Sequence, residues 1–214
     1  MKRDRYKTSI AFIDLLFNIT IGLAMLFIIS FLLINPITKK GDIEYKAEFM
    51  ITLSWPTTSY DDIDLYVMDP AKNIVHYRNK DAGLTNLDRD DLGKSNDTVT
   101  TEAGTFENTL NEEHVTIRGI LPGEYIVNAH WFSKSNTKIG KKGEQYVPSD
   151  TIKVSIKIEK LNPYVLIYTG DEVISAPGLE VTFLRFYVDE KGNVTKTNKL
   201  NYPIVIKSNE GHTP

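Results

Sequence analysis

The chain has 214 residues, with 25 Lys and Arg against 28 Asp and Glu, a net charge of −3 and no cysteine. The lack of Cys excludes a disulfide scaffold, a thiol nucleophile and thiolate metal ligation. The near-balanced charge without a basic patch excludes nucleic acid as a partner, and the length suits one sizeable domain plus extra elements.

Residues 1–9 form a basic head carrying Lys2, Arg3, Arg5 and Lys7. From Ile10 to Ile34 the only charged residue is Asp14. At about 1.5 Å per residue, such a run makes a helix of about 37 Å, enough to cross a hydrocarbon core of about 30 Å with some tilt. The pattern predicts a single transmembrane helix over 10–35, ended by Asn35-Pro36, then a polar linker over 36–48. The basic head outweighs Lys39-Lys40 beyond the span, so the N-terminus is expected in the cytoplasm and the rest in the periplasm of a bacterial inner membrane. A cleaved signal peptide is the competing reading. Its apolar region runs about 7–15 residues and ends at small residues, whereas Ile34-Asn35-Pro36-Ile37 offers no such site.

A carboxylate at the centre of a membrane helix costs about 2.5–3.5 kcal/mol on insertion scales, and Asp14, about four residues past the start, costs less than that. It lies near the start of the span, so snorkelling to the interface is the bland explanation. Asp14, Asn18 and Gly22 recur at i, i+4 and i+8 and share one stripe, and Thr20 is expected on the same partner-facing side. A stripe of polar and small residues suits a protein-facing side. One helix cannot shelter it alone, so partner helices are expected.

The run Ala11-Phe12-Ile13-Asp14-Leu15-Leu16-Phe17-Asn18 resembles the single transmembrane helix of the MotB, ExbD and TolR proteins, over roughly residues 1–36. The resemblance implies two such helices inside a pentameric ring of MotA, TolQ or ExbB type subunits. It also implies that Asp14 binds and releases the coupling ion, H+ by default and Na+ as the alternative.

Beyond the linker the sequence reads as strands. Phe49–Trp55 is β-rich and stops at Pro56, and Ile63–Met68 alternates and stops at Asp69-Pro70. His114–Arg118 and Glu124–Trp131 flank a Leu121-Pro122-Gly123 turn, and Ile152–Ile158 alternates at period two. Val181–Asp189 and Val194–Lys196 flank Glu190-Lys191-Gly192-Asn193, a hairpin signal. Short strands separated by turn clusters, with no helical stretch over 49–206, predict a mainly-β antiparallel sandwich over 49–207 and a frayed tail over 208–214. Trp55 and Trp131 are expected in its core.

Acidic residues concentrate in two stretches, Asp61, Asp62, Asp64 and Asp69 in the first and Asp88, Asp90 and Asp91 in the second. Carboxylates gathered at one sandwich edge suit Ca2+, which takes six to eight oxygen ligands, and Asp62, Asp64, Asp69, Asp88, Asp90 and Asp91 are its candidate ligands. The spacing is not that of an EF-hand loop. The alternative is turn chemistry, with Arg78, Lys80 or Arg89 neutralising the charges.

The stretches Asp62–Pro70, Tyr77–Leu84, Leu87–Gly93 and Leu121–Asn128 resemble the YfaP-like exported β-domains, which share a D-x-D-L-x-V-x-D-P opening and a P-G-x-Y-x-V strand. The G-Y-G-P-E run of that family is absent, and the resemblance implies a fold and no activity. Neither the OmpA-like pattern of MotB nor the small βα domain of ExbD and TolR is present. His76, His114, His130 and His212 are scattered, with His130 read as a structural histidine on a core strand. No G-x-S-x-G or Gly-rich phosphate loop occurs, so an enzyme is not expected. Two functions remain. The chain is either the B-type subunit of a proton-driven motor or transducer, dimeric and engaging an envelope target, or a membrane-tethered module that binds glycan, protein or Ca2+.

Overall fold

A computed structural model describes residues 4–34, 46–93, 97–108, 110–135 and 148–205. The chain divides into two units, Met1–Glu44 and Tyr45–Pro214. The first is built on one helix, α1, Asp4–Ile34. It begins before the apolar run, so residues 4–9 of the expected head are helical and continuous with the span. Within it, Ile10–Phe31 is long and apolar enough to cross a membrane by length and composition. Residues 1–3, the expected stop at Asn35-Pro36, the linker over 36–45, Lys39-Lys40 and the tail over 208–214 lie outside the described residues.

The second unit is mainly β, as the strand pattern predicts. In chain order its strands are β1 Phe49–Trp55, β2 Asp62–Met68, β3 Ile74–Val75, β4 Asp81–Ala82, β5 Thr85–Arg89, β6 Thr98–Thr101, β7 Gly104–Glu107, β8 Asn111–Ile117, β9 Gly123–Ser133, β10 Ile152–Leu161, β11 Tyr164–Ile174, β12 Glu180–Val188 and β13 Val194–Asn198. One six-stranded sheet runs β11-β10-β1-β8-β5-β4, a five-stranded sheet runs β13-β12-β9-β2-β3, and β6 and β7 form a separate ribbon. Every pairing is antiparallel.

The two sheets face each other across one apolar cluster. Phe49, Ile51, Leu53 and Trp55 of β1 and Ile152, Val154, Ile156 and Ile158 of β10 point inward from the first sheet; Ile63, Leu65 and Val67 of β2, Trp131 of β9 and Phe186 of β12 come from the second. Trp55 and Trp131 both sit in this core. Period-two alternation makes it so in β1, β8 and most of β10, while β2 and β9 are buried on both faces. A smaller cluster on the outer face of β2 joins Tyr66, Met68, Ile126 and Ile204.

Strands that carry little alternation in burial escape the sequence reading. β6 and β7 are exposed throughout, β11 exposes most of its residues, and β3 and β4 have two residues each. β3 covers β2 only at Val67 and Met68. Among the described residues, no strand therefore pairs with that side of β2 over Asp62–Tyr66, and this open corner is where the two sheets exchange side chains.

Candidate functional site

The corner is built from both sheets. Asp62 and Asp64 stand on β2 and project from the face opposite Ile63 and Leu65. Asp64 is the direct cross-strand partner of His130 on β9. From the facing sheet comes β8, which buries Asn111, Glu113, Val115 and Ile117 in alternation. Glu113 thus occupies an inward position that Val115 and Ile117 fill with apolar atoms. Its carboxylate reaches the free edge of β2 and accepts the Leu65 backbone N–H at 2.6 Å. That amide has no strand partner on this side, so Glu113 supplies the acceptor a neighbouring strand would provide.

Asp90 and Asp91 arrive through a β-bulge. β5 pairs with β8 at Leu87↔Val115 and then at Arg89↔His114, with one extra residue between them. The insertion reverses the side-chain parity. Without it Arg89 would face Glu113; with it Arg89 turns outward beside His114, and Asp90, next in line, falls opposite Glu113. Gly93 then folds this segment against the β1–β2 loop. Its φ is +63° and a Cβ there would stand 2.7 Å from the Asp61 carbonyl oxygen, a conformation and an approach suited to glycine.

Asp64, Asp90 and Glu113 each bring a carboxylate oxygen within 4.8 Å of the others. Two cations lie close by: Arg89 donates to Asp91 Oδ2 at 2.6 Å, and Lys80 sits 2.9 Å from Asp90 Oδ2. Each engages one oxygen and leaves the other. Among the described residues, eight buried side-chain atoms lack a hydrogen-bond partner, and five of them are Asp62 Oδ1, Asp64 Oδ2, Asp90 Oδ1, Asp91 Oδ1 and His130 Nδ1. His130 Nδ1 stands 3.5 Å from Asp64 Oδ2, too far for a good hydrogen bond. His130 sits on the buried stretch of β9, with its Nδ1 lacking a hydrogen-bond partner. His130 is buried on the outer face, beside the acids.

Crowding makes these carboxyls reluctant to ionise. Burial, reinforced by the charges of Asp64, Asp90 and Asp91, pushes Asp62 up to about 7. Asp64 is raised by burial, against the opposing influence of His130. Asp91 is raised by burial although the Glu112 amide and Arg89 favour its charged form. Glu113 is raised well above the usual range by burial and then by Asp64.

Two expected ligands belong elsewhere. Asp69 closes a turn: its Oδ1 accepts from the Asn73 amide at 2.9 Å and its Oδ2 from Asn73 Nδ2 at 2.8 Å. Asp88 is the bulge residue and faces outward, where its oxygens accept from Thr116 Oγ1 and Arg118 Nη2. Asp61 is likewise spoken for, accepting from Ser59 Oγ and the Ser135 amide. Arg78 lies over the Tyr77 ring and pairs with none of the corner acids, so Lys80 and Arg89 are the neutralising bases. Glu113 was not among the expected residues. The in-phase burial of Asn111, Glu113, Val115 and Ile117 is the signal that points to it.

On α1, Asp14, Asn18 and Gly22 lie at successive turns of a continuous helix. Thr20 does not join them. Two residues from Asn18, it sits about 200° around the helix, and its hydroxyl donates to the Leu16 carbonyl at 2.8 Å.

No family model matches the chain and no curated protein matches it. A solved structure titled "Crystal structure of unknown function protein SAV2460" is similar to it over 75% of this chain and 95% of that one, at 14% identity and a TM-score of 0.40.

Proposed function

We propose that the chain is the single-span subunit of an ion-driven membrane complex, with Asp14 as the group that binds and releases the coupling ion. The observation that carries this reading is the one carboxylate inside the apolar stretch Ile10–Phe31, on a stripe with Asn18 and Gly22. An inert anchor gains nothing from a charge inside its apolar span, where a carboxylate is costly to insert. Partner helices facing that stripe would lower the cost, and low dielectric there lets access from either side decide whether the carboxyl holds its ion. The resemblance to MotB, ExbD and TolR supplies the partners: a second copy of the chain and a pentameric multi-spanning subunit of MotA, TolQ or ExbB type. With the basic head in the cytoplasm, the β-domain stands in the periplasm and engages an envelope target.

The test is purification of the full chain from native membranes, followed by reconstitution of the co-purifying complex into liposomes. A multi-spanning partner should accompany it, and a pH gradient should drive H+ flux that Asp14→Asn abolishes while the complex still assembles. Flux that follows a Na+ gradient instead names the other ion. Wild-type flux in Asp14→Asn, or a chain that purifies with no multi-spanning partner, would sink the proposal. The acidic corner favours a second reading, in which α1 is only a tether and the β-domain is a binding module. Under it Asp14→Asn changes nothing.

A further inference from the structure

From the corner's geometry we infer that the β-domain holds one hard divalent cation of the Ca2+ type, ligated by Asp64, Asp90 and Glu113 with Asp62 beside them, which ties its two sheets together. The donors come from both layers: Asp64 from β2 in the five-stranded sheet, Asp90 and Glu113 from the β5 end and β8 in the six-stranded one. Oxygens of Asp64, Asp90 and Glu113 that lie within 4.8 Å of one another can share one ion, because Ca2+–oxygen distances of about 2.3–2.6 Å put opposed ligands about 5 Å apart. A second observation points the same way. Asp64 is only 2% exposed, yet its Oδ2 has no hydrogen-bond partner, and Asp62 Oδ1 and Asp90 Oδ1 are orphaned beside it. Buried lone pairs left unpaired are costly, and Asp64 and Asp90, which carry two of them, belong to the carboxylate group.

The charge count agrees. Asp62, Asp64, Asp90, Asp91 and Glu113 face two bases, Lys80 and Arg89, and each base engages one of these acids, Arg89 being shared with Leu110 and Glu112. A divalent cation supplies most of the missing positive charge at the atoms those bases leave free. The all-oxygen donor set selects Ca2+, Mg2+ or Mn2+ over softer metals. The crowding of four carboxylates favours Ca2+, since Mg2+ keeps several waters and needs near-octahedral geometry. The corner is independent of Asp14, so this inference stands or falls apart from the ion-driven reading.

The experiment uses the full chain in lipid nanodiscs, stripped with EDTA and titrated with CaCl2 and with MgCl2 by calorimetry, with thermal melting in parallel. One saturable Ca2+ per chain, a higher melting temperature and binding at least about tenfold tighter than Mg2+ are expected. Asp64→Asn and Glu113→Gln keep the size of each side chain, and Glu113→Gln still offers an oxygen to the Leu65 amide. They should weaken Ca2+ at least about tenfold while the metal-free variants melt no lower than the metal-free parent. Asp88→Asn, tied to Arg118 and Thr116 outside the corner, should bind like the parent. Absence of both heat and a melting shift at millimolar Ca2+ in the folded parent overturns the inference, as does parental affinity in Asp64→Asn. Equal affinity for Mg2+ overturns the Ca2+ assignment. Should the variants fail to fold, the parental titration and its reversal by EDTA decide alone.

Discussion

On the outer surface of β10 and β11, Lys153 lies 2.7 Å from Asp171, and Lys199, just past β13, lies 3.3 Å from Glu172. At the open corner of β2, five carboxyls share Arg89 and Lys80 and are mostly shielded from water. On the first surface each acid has its own base and stays hydrated; Lys153 holds Asp171 below the usual carboxylate range. Such pairs contribute little to stability because water already solvates both partners. At the corner the desolvation is real and the bases are too few, so every acid there is raised or left with an orphaned oxygen. The same residue type keeps a surface soluble in one place and builds a demand for a cation in the other. Acid content alone does not distinguish the two; burial and the count of nearby bases do.

The sharpest way to break that contrast is pH. A carboxyl whose pKa is raised on folding stabilises the fold while it is protonated, and that contribution is lost as pH rises through the folded value. Asp62, at about 7 against 3.8 unfolded, and Asp64, Asp91 and Glu113, all raised, act in this sense, with Arg89, Lys80 and His130 as the facing cations. The lowered carboxyls Asp150, Asp171 and Asp189 are exposed and already ionised above about pH 5. In EDTA the melting temperature should therefore fall by several degrees between about pH 5 and about pH 8. A flat or rising profile in differential scanning calorimetry would mean the corner acids are not crowded in solution.

A single substitution gives the next largest effect. Arg89→Met removes the base 2.6 Å from Asp91 Oδ2 and leaves a nearly buried carboxylate unmatched. Urea unfolding in EDTA at neutral pH should show a loss of roughly 2–3 kcal/mol. A loss as small as that of a surface pair would put Asp91 among the hydrated acids instead. At the other end, Asp171→Asn on the outer surface should leave the urea midpoint unchanged within error. A clear shift there would show that the β10–β11 pairs matter more than their exposure suggests.

Much of the fold was legible because burial writes itself into period two. Phe49–Trp55 and Ile152–Ile158 announce their inward faces, and the Leu121-Pro122-Gly123 and Glu190–Asn193 turns mark where strands reverse. β11 was not legible, since it lies at the edge of its sheet and buries little beyond Ile174. Of the corner, Asp62, Asp64, Asp90 and Asp91 stood out as acids near strand ends. Asp69 and Asp88 looked the same in sequence but serve a turn and an outward bulge. Glu113 was passed over because the strand was expected only from His114, whereas β8 begins at Asn111 and places Glu113 in the core phase.

The sequence by itself determined the apolar run with its lone Asp14, the succession of short strands and the inward set of each, because these depend on local composition and period. Only the tertiary structure decided which acids meet. Asp64 and Glu113 are 49 positions apart and belong to different sheets. Their meeting depends on β3 being too short to cover β2 and on one inserted residue in β5 that turns Arg89 out and Asp90 in. Neither the end of a pairing nor the parity of a bulge is a property of a single strand, so neither can be read before the strands are placed side by side.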